Sequence, residues 1–250
     1  MGVTINCDIG ESYGLYSFGN DKKIMPYINI ANVACGFHAS DPSVMHKTVT
    51  LAIEHNVAIG AHPSLPDRQG FGRREMKMER AELRDLIIYQ VGALKGFLEA
   101  EGVALNHIKP HGALFGMTSK YEHCAEAAAD VSEIFGVPLI GQVNTMHDTV
   151  YTRRGLTWWP EFYADLEYDK ECNLIITREH VAYEPEAAAD RTIRALKDGV
   201  VKSIDGNDVP IRFETVCIHS DTPGIEAVAP ALNNALAPYM PSATLSRTTL

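Results

Sequence analysis

The sequence predicts an α/β fold in which seven parallel strands close into a β/α barrel. Three observations carry that expectation. Short apolar runs bounded by Gly, Pro or Asn alternate with helical stretches along the whole chain. Such alternation implies parallel strands covered by helices. Seven such strands can be read, one short of the eight-stranded barrel. The chain has 250 residues, a length at which α/β barrels commonly form one domain, and no Pro/Gly/Ser-rich linker divides it. An open doubly wound sheet is the alternative.

The first strand is expected at residues 3–7 and the second at 29–34. Asp41-Pro42 then reads as an N-cap with proline at the first helical position. Val44, Met45, Thr48, Val49, Ala52 and Ile53 fall on one face of that helix. A third strand at 57–61 precedes a longer helix after Arg80, striped by Leu83, Leu86, Ile87, Leu94, Phe97 and Leu98. The fourth strand is expected at 105–109, with a helix at 121–135. The fifth and sixth fall at 138–141 and 157–162, followed by a helix at 184–198. Residues 200–210, containing Asp205-Gly206-Asn207-Asp208, read as a turn or small hairpin. The seventh strand at 215–218 leads to a helix at 224–236. One domain spans 1–250, and its small polar tail, 241–250, is expected to be loosely held.

Composition narrows the function. The chain is 46% hydrophobic and 22% charged, enough to bury a full core, which excludes disorder as a whole-chain reading. Its 22 Lys+Arg against 32 Asp+Glu leave a net charge of −10. No basic cluster accompanies Arg73-Arg74 or Arg153-Arg154, so nucleic acid is not an expected partner. Five cysteines without a CxxC spacing suit reduced thiols in the cytoplasm. Cys7, Cys35 and Cys217 are expected to be small buried residues near strand ends. The N-terminus lacks the basic region and apolar run of a secretory leader. Apolar runs fall far short of the roughly 20 residues a membrane span needs.

Chemistry collects where strands end. Asn6-Cys7-Asp8, with Glu11 beyond, closes the first strand; Asn32 and Cys35-Gly36-Phe37-His38 close the second. His62 ends the third, His107, Lys109 and His111 the fourth, and Gln142 and Asn144 follow the fifth. Glu161 and Asp165 follow the sixth, and His219-Ser220-Asp221 the seventh. In a β/α barrel these ends converge on one mouth, where active sites lie. The HxxxH spacing of His107 and His111 resembles a helical metal pair, but Pro110 and the strand pattern argue against a helix there. His46, His55, His123, His147 and His180 read as surface residues. The loop Gly70-Phe71-Gly72-Arg73-Arg74 could close over an anionic substrate, since arginine presents a planar fork to carboxylates. No phosphate-binding loop, dinucleotide fingerprint, His-Glu-x-x-His pair or nucleophile elbow occurs.

These segments resemble the LamB/YcsF family, whose members include one component of bacterial ATP-dependent 5-oxoprolinase. The resemblance rests on Asn6-Cys7-Asp8-Ile9-Gly10-Glu11-Ser12-Tyr13-Gly14 and on the run from Ala31 to Pro42 containing Cys35-Gly36-Phe37-His38. Gly60-Ala61-His62-Pro63 with Asp67, Gly70-Phe71-Gly72-Arg73-Arg74, Lys109-Pro110-His111-Gly112-Ala113-Leu114 and His219-Ser220-Asp221-Thr222-Pro223 complete it. It implies a seven-stranded TIM-like barrel of the glycoside hydrolase/deacetylase type. It also implies hydrolytic opening of the 5-oxo-L-proline lactam to L-glutamate. ATP would be supplied through partner subunits B and C, and a homo-oligomer is compatible with this arrangement. Ser40, Ser64 and Ser220 stand where the family usually has Gly, Leu65 where an aromatic is usual, and Phe115-Gly116 where Tyr-Asn is usual. These changes fall in loops expected to line the mouth, so another lactam or cyclic amide is an alternative substrate.

Within that frame the expected catalytic residues are Asp8, Glu11, His38, His62, Lys109 and His111. Asp8 with His38 or His62 would orient or deprotonate water, while Lys109 or His111 would stabilise charge on the carbonyl or phosphorylated oxygen. Asn6, Asn32, Arg73, Arg74, His219 and Asp221 are the expected substrate-binding residues. A divalent metal held by Asp8, His38 and His62, as in a deacetylase-like hydrolase, is the rival reading. A non-catalytic binding subunit is the other.

Overall fold

The computed structural model describes residues 2–175, 183–241 and 245–248. β1 (Thr4–Ile9) leads through α1 (Asp21–Ile24) to β2 (Ile30–Ala34), and α2 (Pro42–Glu54) leads to β3 (Ala58–His62). α3 (Arg80–Ala100) precedes β4 (Leu105–Ile108), while α4 (Gly112–Lys120) and α5 (Glu122–Phe135) precede β5 (Leu139–Gly141). α6 (Met146–Arg153) precedes β6 (Trp158–Tyr163). A hairpin of β7 (Glu167–Tyr168) and β8 (Leu174–Ile175), helix α7 (Pro185–Asp198) and a second hairpin of β9 (Val200–Lys202) and β10 (Asp208–Pro210) follow. The chain then forms β11 (Thr215–His219) and α8 (Ile225–Leu236).

β1, β2, β3, β4, β5, β6 and β11 close into a parallel barrel, with β11 paired back onto β1. Closure decides for the barrel over the open sheet. Side chains alternate across each strand. In β1, Ile5, Cys7 and Ile9 join the main hydrophobic core, while Asn6 and Asp8 turn into the barrel. The barrel floor is a separate apolar cluster of Ile30, Ala58 and Ile140, with Trp159 packed against it. The interior is thus sealed below and polar above.

Local signals explain several elements. Asp41 Oδ1 accepts from the N–H groups of Ser43 at 2.8 Å and Val44 at 3.1 Å, capping α2 as expected. Gly136, at φ 65°, ends α5 in the left-handed conformation. The hairpin expected within 200–210 is β9–β10.

Other elements depart from the sequence expectation. Helices α4 and α6 were not anticipated. Gly112 and Gly116 weaken helix propensity in α4, and α6 is a short, polar segment. His147, expected at the surface, is fully buried in α6. Its Nδ1 accepts from the Gln142 N–H at 3.0 Å, and its Nε2 lies 2.8 Å from Thr118 Oγ1. His46, His55 and His123 are exposed as expected, and His180 lies outside the described residues. At the C-terminus the Ala104 N–H donates to Ser246 O and the Thr248 N–H to Gly102 O, both at 3.0 Å. Those bonds set residues 246–248 against the turn that precedes β4. No helix among the described residues is long and apolar enough to cross a membrane.

A candidate active site at the barrel mouth

The β1 carboxylate Asp8 is the hub. It is buried, with Oδ1 accepting from Asn32 Nδ2 at 2.8 Å and lying 3.3 Å from Lys109 Nζ. Its Oδ2 lies 3.3 Å from His62 Nε2. Register brings these groups together, since Asp8 pairs with Asn32 on one side and with His219 on the other. Lys109, just past β4, is enclosed by acceptors. Its Nζ lies 2.8 Å from Glu161 Oε1, 3.1 Å from Cys217 Sγ and 3.2 Å from Asn6 Oδ1. Beneath them Asn32 Nδ2 also donates to Asn6 Oδ1 at 2.8 Å, and His107 Nε2 reaches Asn32 Oδ1 at 2.6 Å. A Cβ on Gly60 would fall inside the His107 ring, so only glycine lets β3 approach this network.

Above Asp8 three imidazoles and a second carboxylate converge. His62 Nε2 lies 2.9 Å from His111 Nδ1, and Glu11 Oε1 lies 2.9 Å from His38 Nε2 and 3.5 Å from His111 Nδ1. The His38 and His111 rings stack with centroids 3.7 Å apart. All four residues are buried. A loop after β3 covers them. Its Phe71 packs edge-on against both rings, and its carbonyl accepts from His111 Nε2 at 2.8 Å. Phe71 has φ 53°, a conformation that bulky residues adopt only when surroundings impose it.

Burial and charge set the protonation states. Burial opposes the charged form of Asp8, yet His62 and Lys109 hold its carboxyl well below the usual range. Burial likewise opposes the Lys109 charge, and Asp8 and Glu161 more than restore it. Glu11 is raised by burial. His111 and His38 fall well below the ordinary imidazole value through burial and neighbouring histidines. His219 differs: burial works against its charge, but Asp165, at 3.0 Å from Nδ1, drives its pKa well up. Burial pushes the Cys35 and Cys217 thiols up to about 12, so neither is poised as a nucleophile.

The six expected catalytic residues therefore meet in one mouth. Among the expected substrate-binding residues, Asn6 and Asn32 are fully buried and hold Lys109 and Asp8. Arg73 stands exposed at the rim, its guanidinium 5.2 Å from the Phe71 ring centre. Arg74 is turned away, tied through Nε and Nη2 to Asp67. His219 lies against Asp165, and Asp221 is half-buried beyond it. Glu161 and Asp165 belong to the site, although sequence order marks them only as strand-end residues. A carboxylate inside the aromatic strand Trp158–Tyr163 must find a buried cation, which points to Lys109.

Fold and mouth together define a parallel β/α-barrel protein with a buried, mixed-charge site at the C-terminal strand ends. The chain belongs to the LamB/YcsF family, whose model matches residues 3–244. It is 44% identical over 225 residues to a lactam utilization protein lamB of Emericella nidulans, covering 88% of each chain. It is also 44% identical over 223 residues to the A subunit of a 5-oxoprolinase from Bacillus licheniformis, again covering 88% of each. A crystal structure of a lactam utilization protein from Thermus thermophilus superposes with a TM-score of 0.89 at 38% identity, covering 95% of this chain and 97% of that one.

Proposed function

We propose that this chain is the barrel component of an ATP-dependent 5-oxoprolinase, opening the lactam of 5-oxo-L-proline to L-glutamate. The observation that carries the reading is the Asp8 carboxylate, held ionised in a buried mouth with His62 Nε2 and Lys109 Nζ each 3.3 Å away. The relatives named for lactam utilization and for 5-oxoprolinase supply the substrate class. In the reaction, water adds to the ring carbonyl, the C–N bond breaks, and the departing nitrogen takes up a proton. Asp8, with His62 beside it, orients and deprotonates the water. Lys109 is enclosed by acceptors, so it acts by keeping Asp8 ionised rather than by touching substrate. Arg73, exposed at the rim, suits the substrate carboxylate.

Opening a five-membered amide is thermodynamically unfavourable, which makes coupling to ATP chemically sensible. The sequence carries no phosphate-binding loop, in keeping with ATP entering through partner subunits B and C. A deacetylase-like, metal-dependent hydrolase is the second reading, favoured by the convergence of Glu11, His38, His62 and His111.

Glutamate release from 5-oxo-L-proline tests the proposal, measured for the chain alone and with the B and C subunits, each with and without ATP. Release confined to the arm with both partners and ATP is expected. Release by the isolated chain without ATP would favour the metal hydrolase. Release in no arm, or only from another cyclic amide, would overturn the proposed substrate.

A further inference from the structure

The upper mouth holds more lone pairs than protons. His62 Nδ1 lies 2.7 Å from the Lys109 carbonyl oxygen, which can only accept, so Nδ1 carries that ring's proton. His111 Nε2 lies 2.8 Å from the Phe71 carbonyl oxygen, so Nε2 carries the proton there. The remaining nitrogens, His62 Nε2 and His111 Nδ1, face each other at 2.9 Å. In neutral rings both are lone pairs, Glu11 Oε1 adds a third acceptor 3.5 Å from His111 Nδ1, and Asp8 Oδ2 a fourth 3.3 Å from His62 Nε2. His38 Nε2 stands 2.9 Å from that oxygen, while its buried Nδ1 has no hydrogen-bond partner among the described residues. This set is stable only around a cation, either a bridging proton or a metal ion.

We propose that Glu11, His38, His62 and His111 hold a divalent transition-metal ion of the zinc class. One ligand atom from each lies within 4.8 Å of the other three. Ligand atoms around a tetrahedral zinc sit roughly 3.3 Å apart, given bonds of about 2.0–2.1 Å. The separations of 2.9, 2.9 and 3.5 Å bracket that spacing, and the His38 ring, stacked parallel on His111 at 3.7 Å, must tilt for its in-plane lone pair to reach the same ion. Imidazoles with one carboxylate are the donors zinc-class ions favour, rather than magnesium or calcium. The backbone carbonyls that accept from His62 and His111 fix both rings, as the outer partners of metal-bound imidazoles do. The Asp8, Cys217 and His219 cluster beside it is a poorer candidate, because the Lys109 ammonium already sits among those groups.

This site differs from the Asp8, His38 and His62 set expected from sequence. It also stands independently of which amide is opened, because its test needs no partner, nucleotide or lactam. The full chain is stripped with chelator and titrated with Zn²⁺ and with Co²⁺, while calorimetry, elemental analysis and the Co²⁺ visible spectrum report binding. One ion per chain is expected, with a tetrahedral or five-coordinate Co²⁺ spectrum. Glu11→Gln and His38→Gln should each weaken binding by about 100-fold or more, above the 10–100-fold typical of outer partners. His46→Gln, on the exposed face of α2, should leave binding unchanged. Circular dichroism of the stripped variants separates lost ligands from lost fold, and the near-isosteric Glu11→Gln guards against misfolding. No stoichiometric binding by the folded wild-type chain would overturn the proposal. So would binding undiminished in a folded His38→Gln/His111→Gln chain, or a proton between His62 and His111 detected by nitrogen NMR with no ion taken up.

Discussion

An ammonium enclosed as Lys109 is cannot be removed without stranding the carboxylates it serves. Lys109→Met leaves Asp8 and Glu161 buried without their shared cation. Breaking such a pair typically destabilises by about 3–5 kcal/mol. Urea denaturation should show that loss, and adding Glu161→Gln should recover part of it. A single-variant loss below about 1 kcal/mol would contradict the assigned charge balance. Asp21 makes a second residue-scale prediction. Burial and Glu11 raise its pKa from 3.8 to about 6, while the Gly10 N–H, 2.9 Å from Oδ2, opposes the rise. A raised carboxyl contributes stability fully below its unfolded pKa and loses it as pH rises through the folded one. Asp21→Asn escapes that loss, so the variant should gain on wild type between pH 4 and pH 7, by on the order of 1–3 kcal/mol. A flat difference across that range would refute it.

At the scale of elements, the loop after β3 determines whether the mouth is covered. Gly72 sits at φ 65°, where a Cβ would overlap Ser64 Oγ and press on the His111 ring. Gly72→Ala should therefore lower the melting temperature and depress turnover, from a penalty of about 1–3 kcal/mol. Ser64→Gly in the same chain should restore part of both. Ser40 adopts φ 71° without glycine's freedom. The seven barrel strands, α2 with its Asp41 cap and the β9–β10 hairpin were legible because apolar runs and turn residues mark them locally, whereas the short β7–β8 hairpin was not. Helices α4 and α6 were not, since their pattern is weak and packing imposes them. His147 was misread for that reason: its face could not be seen until α6 was known.

Over the whole molecule, convergence of polar strand ends was readable once the barrel was assumed, and all six expected catalytic residues lie in one mouth. Three-dimensional pairing was not readable. Nothing in sequence order links Arg74 to Asp67 rather than to substrate, or Lys109 to Glu161. Nor does it show that Asn6 and Asn32 lie beneath the site as struts. The barrel keeps its charged interior by sealing the floor with Ile30, Ala58, Ile140 and Trp159 and by placing its main hydrophobic core outside the strands. Replacing one carboxylate oxygen of Asp8 with an amide nitrogen should therefore alter chemistry far more than fold. Glutamate release from 5-oxo-L-proline by the Asp8→Asn chain, assembled with the proposed B and C subunits and ATP, is the direct measurement. The expected result is a loss of turnover of about 10²–10⁴-fold with cooperative unfolding retained. Turnover near the wild-type rate in that folded variant would contradict the assignment of Asp8, and with it the proposed chemistry of the mouth.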